Sequence, residues 1–198
     1  NDSLFEYDRG AAASLSRFID AYDQLVYEAH STDYQPYDSL RNLVQDHFAI
    51  LKVGPALTFA FREAVYALAM VEHEWLSPAE GVQLSDIQQV LDRAMLHNPV
   101  YWKKYYTGSE AANRLARRYS YSDRSRYYWP DPRVRSALDR LIENLETDPI
   151  PRTLLSQFLP LQCERVQRGV LPNAPRALIL DKIRTVLAGY ARACGVGG

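Results

Sequence analysis

Two stretches, LVYEAHSTDYQ (Leu25–Gln35) and KVGPALTFAFREA (Lys52–Ala64), decide the fold class. Each opens in or just after a short apolar run and breaks into polar or turn residues. Leu25–His30 and Phe48–Val53 read as buried strands, being short apolar runs bounded by turn signals. Glu28, His30, Ser31 and Asp33 fall at the exit of the first. Lys52, Gly54 and Thr58 fall at the exit of the second. Parallel α/β folds hold ligands at the carboxyl ends of their strands, so these two exits are where function is sought.

Helices are expected around the strands. Ala11–Ala21 carries Leu15, Phe18 and Ile19 at helical spacing. Tyr37–Gln45 points Leu40, Leu43 and Val44 inward and makes a βαβ connection. Thr58 is expected to cap a helix to about Trp75, on which Phe61, Val65, Leu68, Ala69 and Glu72 recur on one face. Beyond Ser77-Pro78 the strand signals stop. Ser85 and Gln88 suggest a capping box for a helix over Asp86–Leu96. Asn98-Pro99 ends it and starts an aromatic-rich helix through Tyr106. Ser109–Arg118, Pro132–Glu146, Arg152–Gln167 (broken at Pro160) and Ala174–Ala193, stopped by Gly195, follow.

Composition narrows the function classes. The 198 residues are 47% hydrophobic and 24% charged, with net charge −1, which gives no global attraction for nucleic acid or anionic membranes. No apolar run reaches the ~20 residues a spanning helix needs. Two cysteines, Cys163 and Cys194, make no disulfide framework and suit a reducing cytosol, so a cytoplasmic location is expected. Cys163 reads as an inert, partly buried thiol. The opening NDSLFEYDRG lacks an initiator Met and reads as the interior of a longer chain.

At the first exit, His30 beside Glu28 and Asp33 suits either a metal ligand or proton shuttle, or an ordinary hydrogen-bonded loop histidine. A zinc site needs three protein ligands, and His47, His73 and His97 show no spacing such as HExxH. At the second exit, a lysine, a Gly54-Pro55 turn and a helix opened by Thr58 bring a cation and backbone N–H groups together. That suits a phosphate, or is a structural turn alone. Arg62-Glu63 reads as a surface or interface ion pair. The region Tyr101–Trp129 interleaves aromatics with cations, and Tyr101, Trp102, Arg124, Tyr127, Tyr128 and Trp129 are its interface candidates. Core packing fits the same residues. Nucleic-acid stacking is disfavoured by the charge balance. Ser120–Asp123 is expected to cap a short helix over Arg124–Tyr128.

The segments EAHSTDYQ (Glu28–Gln35), DHFAILKVGPALTFAFREA (Asp46–Ala64), YWKKYY (Tyr101–Tyr106) and YSDRSRYYWP (Tyr121–Pro130) together resemble the non-catalytic subunit of class II D-tagatose-bisphosphate aldolase (the GatZ/KbaZ type). That family also carries the name tagatose 6-phosphate kinase. The resemblance continues through IPRTLLSQFLP (Ile150–Pro160) and APRALILDKIRTVLAGY (Ala174–Tyr190), and it is to the C-terminal half of the family's longer chains.

The resemblance implies an α/β protein: the C-terminal portion of a TIM-barrel-like fold, about two parallel strands within residues 1–76, followed by an all-helical annex over 77–198 packed on it. A whole barrel needs ~250 residues, and two parallel strands alone leave open ladder edges. Upstream residues, or another polypeptide, are therefore expected to complete the sheet. In the catalytic aldolases the strand end near His30 carries a zinc-binding histidine, and a KVN-x-x-T stretch contacts the substrate phosphate. Gly54-Pro55 departs from that stretch, and Pro55 removes a donor.

The implied function is an accessory subunit required for activity and stability of a class II tagatose-1,6-bisphosphate aldolase in carbohydrate catabolism, partnered by the catalytic subunit in an oligomer. The alternative is a sugar-phosphate enzyme itself, a tagatose 6-phosphate kinase or aldolase-like lyase, although no GxxxxGK[ST] loop is present. No cofactor is expected, with zinc entering only if upstream ligands exist.

Overall fold

A computed structural model describes residues 4–196. Within them β1 (Tyr27–Ala29) and β2 (Phe48–Leu51) form a two-stranded parallel sheet, preceded by α1 (Arg9–Ile19) and linked by α2 (Tyr37–Gln45). The register pairs Tyr27 with Phe48, Glu28 with Ile50 and Ala29 with Leu51, so the pairing slips by one residue at Ala49. The parallel α/β pair expected from the apolar runs is present, in shorter strands. Leu25 and Val26 lie exposed ahead of β1 rather than in the ladder. All later elements are helical: α3 (Pro55–Leu76), α4 (Ile87–His97), α5 (Glu110–Tyr119), α6 (Pro132–Glu146), α7 (Arg152–Phe158), α8 (Pro160–Gln167) and α9 (Pro175–Ala193).

The described residues divide into two compact units, one of Thr58–Ile183 and one made of 4–57 with 184–196, so that both α3 and α9 contribute residues to each. The strand-bearing unit has a small core of Ala29, Leu40, Leu43 and Ala193, lined by Tyr7, Phe48, Leu51 and Tyr190. Leu40 and Leu43 point inward as their spacing predicts. Helix α1 begins earlier than expected because the Asp8 side chain accepts the Ala11 N–H at 3.1 Å and caps it. Of the three residues expected on its apolar face, Ile19 is buried, as is Ala12, while Leu15 and Phe18 are exposed. Asp46, buried, accepts from the Tyr7 hydroxyl (2.9 Å) and from Arg9 (2.8 and 3.0 Å). Burial, with the Asp46 carboxylate beside it, pushes the Tyr7 phenol up to about 12.

The helical unit has the larger core. Val65, Leu68 and Val71 of α3 join Ile87, Leu91 and Met95 of α4, Val134, Leu141 and Leu145 of α6, and Leu155 and Leu178. Each such side chain contributes on the order of 1.5–3 kcal/mol through removal from water. Ser109 caps α5 through the Ala112 N–H, Pro160 separates α7 from α8, and Gly195 at φ 70° stops α9, as their residue types predict.

Three local expectations are corrected. The capping box at Ser85 and Gln88 does not form: Asp86 occupies the cap position at φ 48°. Ser85 is held instead by Glu72, 2% exposed, which accepts its N–H (3.0 Å) and its hydroxyl (2.5 Å), while Arg118 donates to the Gln88 side chain. No helix runs through Tyr106. A single 3₁₀ turn, Pro99–Tyr101, is followed by turns in which Trp102 donates to the Met95 carbonyl at 2.7 Å and Tyr106 meets the Ser122 hydroxyl at 3.0 Å. Burying two rings with their polar tips satisfied outweighs continuing the helix. Finally, Asp123 makes no side-chain cap on the 3₁₀ turn Arg124–Tyr127, because its carboxylate is engaged elsewhere. Among the described residues no helix is long and apolar enough to cross a membrane.

Candidate functional site

At the carboxyl end of the strand pair the side chains organise around Glu28. Its carboxylate takes an ion pair from Lys52 and a 2.9 Å contact from His30 Nε2. The hydrogen bond from Lys52, reinforced by the Lys52 charge and the adjoining His30 ring, holds the Glu28 carboxyl below the usual range. The backbone on the β1 side is unusual. Ser31 (φ 56°) and Tyr34 (φ 63°) are both left-handed, a conformation costing non-glycine residues roughly 1–2 kcal/mol each and often found at functional sites. Between them Asp33 Oδ1 accepts the N–H groups of Gly54 and Ala56, each at 2.8 Å.

That carboxylate sits where a bound anion would. A helix start offers its first N–H groups and a positive dipole end to negative charge. At α3 those donors are already met by Asp33, and Pro55 has none to offer. Of the residues expected there, Lys52 turns to Glu28, and Gly54 donates to Asp33. Thr58, in the helical unit, donates its hydroxyl to Asp123 and does not cap α3; Asp33 does. For zinc, His30 and Glu28 supply two donor groups. Among the described residues no group of three or more His, Cys, Asp or Glu side chains converges on one point, so a three-ligand site is not assembled from them.

The helical unit holds a buried polar centre that local sequence signals do not reveal. Arg62, expected in a surface or interface ion pair with Glu63, is 1% exposed and ion-paired with Asp123, while Glu63 pairs with Lys182 at 3.5 Å. Asp123 (φ 43°) also accepts from Thr58 and from Ser125 at 2.8 Å, and Arg62 lies 4.3 Å from the centre of the Phe59 ring. Arg117 is likewise buried. It bonds Asp92 (2.7 Å) and Glu110 (3.1 Å) and lies 4.9 Å from the Trp102 ring centre.

The interface candidates separate by burial. Trp102 and Tyr128 are core residues, and Trp129 packs edge-on against Phe61 at 4.8 Å. Tyr101 and Tyr127, 42% and 41% exposed, stack on one another at 4.9 Å; Tyr101 rests edge-on against Tyr128 at 5.6 Å. Arg126 covers Tyr127 at 4.6 Å and donates to its hydroxyl. Arg124 lies 3.4 Å from the centre of the Tyr105 ring. The hydrogen bond from Lys104, followed by the pull of Arg124, lowers the Tyr105 phenol. The outcome is a solvent-facing aromatic surface fastened by arginines to a rigid base.

Against solved structures, the chain resembles the crystal structure of a probable tagatose 6-phosphate kinase from Sinorhizobium meliloti 1021. The match has a TM-score of 0.91 at 45% identity, over 98% of this chain and 49% of that one, so the chain spans about half the length of that relative. The family model described as D-tagatose-1,6-bisphosphate aldolase subunit GatZ/KbaZ-like matches residues 1–195, and the chain belongs to that family.

Proposed function

We propose that this chain is part of an accessory subunit that binds and stabilises a catalytic class II tagatose-1,6-bisphosphate aldolase, and that the Tyr101–Tyr127 surface is one of its contact areas. The observation carrying this reading is the exposed tyrosine stack, anchored on buried Tyr128 and clasped by Arg126. Tyr and Arg on a rigid base are the residue types that dominate binding energy at protein interfaces. The self-contained strand exit supports the same reading, since Lys52, His30 and Asp33 are all turned to partners within the chain. On this reading β1 and β2 are two staves of a TIM-like barrel completed by other strands, and the chain works in the cytoplasm without a cofactor of its own. Binding to the folded aldolase stabilises it by mass action.

Mixing the protein with a class II aldolase should raise the aldolase's melting temperature and its cleavage rate, and Y101A/Y127A should weaken both effects at least tenfold. Unchanged aldolase behaviour over a full titration overturns the reading. A second reading, a sugar-phosphate enzyme, is favoured by the Glu28–His30–Lys52 cluster and by the name of the solved relative. Turnover of tagatose 6-phosphate with ATP, or of the bisphosphate, by the protein alone would establish it.

A further inference from the structure

A groove of about 540 Å³ lies between α4 and α6, floored by Val90, Ala94, Pro132 and Ala137. Its rim is cationic. Arg133 and Arg140 are seven residues apart and so share a face of α6, and Arg93 faces them from α4. Arg133 is paired with Asp131, but Arg93 and Arg140 have no ion-pair partner among the described residues. A chain with net charge −1 thus gathers three arginines around one apolar trough. The Tyr128 hydroxyl donates to the Asn98 carbonyl just past α4, and Tyr128 precedes the start of α6 by four residues, so the segment carrying the aromatic stack is joined to the same two helices.

We infer that this groove receives an acidic segment of the partner protein, with an apolar side chain seated on Val90, Ala94 and Ala137 and carboxylates meeting Arg93 and Arg140. An open trough along two helices suits a polypeptide laid lengthwise, with apolar anchors supplying affinity and rim charges setting orientation and on-rate. A sugar phosphate, polar on all sides, would leave the apolar floor unused.

The inference rests on the partner reading, and one titration with class II aldolase separates the two. Arg93 is exposed and Arg140 half-buried, so R93Q/R140Q should fold with an unchanged melting temperature, as should the harsher R93E/R140E. Wild-type protein should bind the aldolase with an affinity that falls as salt rises. R93E/R140E should bind at least tenfold more weakly with a flatter salt dependence, R93Q/R140Q should fall between, and R93K/R140K should recover most of the affinity. Wild-type binding that all three variants match overturns the groove and leaves the partner reading standing. No wild-type binding overturns both. Inorganic phosphate raising the wild-type melting temperature, but not that of R93E/R140E, would make this a small-anion site and overturn the peptide occupant.

Discussion

Asp131 is the residue whose local chemistry makes the sharpest pH prediction. It caps α6 through the Arg133 N–H at 2.9 Å, and the paired Arg133 side chain is the main reason its carboxyl falls to about 2. An unfolded aspartate titrates near 3.9, so the folded value is the lower one. Its contribution is therefore fully present above pH ~4 and is lost as pH falls toward 2. Replacing this cap with alanine should cost about 1 kcal/mol at pH 7. Urea unfolding of D131A and wild type should show that gap constant from pH 8 to 5 and shrinking below pH 4; a gap unchanged at pH 3 would mean that charge plays no part. Asp33 makes a parallel case. D33A should destabilise by roughly 1–2 kcal/mol, because two N–H groups at the start of α3 lose their acceptor.

Among the elements, α3 depends on a bond that its own sequence does not announce. Arg62 and Asp123 are 61 residues apart, and both are buried. Removing one partner of a buried pair typically costs about 3–5 kcal/mol, whereas replacing both with apolar groups can be nearly neutral. D123A should lower unfolding free energy by that amount, and R62M/D123L should recover more than half of it; equal losses in both variants would show that packing, not charge, governs the site. The same separation explains what could be read from the chain. Period and punctuation revealed β1, β2, α2, α6, the break at Pro160 and the end of α9, because those signals lie within a few residues of each other. Burial of Arg62, the diversion of Ser85 to Glu72 and the capping of α3 by Asp33 rather than Thr58 each depend on a partner 13 or more residues away. For the candidate site, residue types at the strand exits were apparent, but their mutual neutralisation was not. Adjacent Tyr127 and Tyr128 likewise carry no local sign of which ring faces solvent.

For the molecule as a whole, the two compact units differ in how much apolar surface each buries. The helical unit is organised around Leu68, Leu91, Leu141 and Leu178, all four inaccessible. The strand-bearing unit relies on Ala29, Leu40, Leu43 and Ala193, and leaves Leu15, Phe18, Leu25, Val26 and Ile50 exposed. Local opening free energy follows buried apolar contact, so the sheet should open well before the helical core. Hydrogen–deuterium exchange should show amides of β1 and β2 exchanging at least tenfold faster than those of mid-α4 and mid-α6. Equal protection in both units would mean that the small core is not the weak point. Repeating the exchange with class II aldolase present then distinguishes two ways of covering exposed apolar surface. Slowing confined to β1 and β2 means the partner supplies strands to the open ladder edges, whereas slowing around Tyr101, Tyr127 and the α4–α6 groove means that it docks on the helical face and leaves the sheet to be completed from elsewhere.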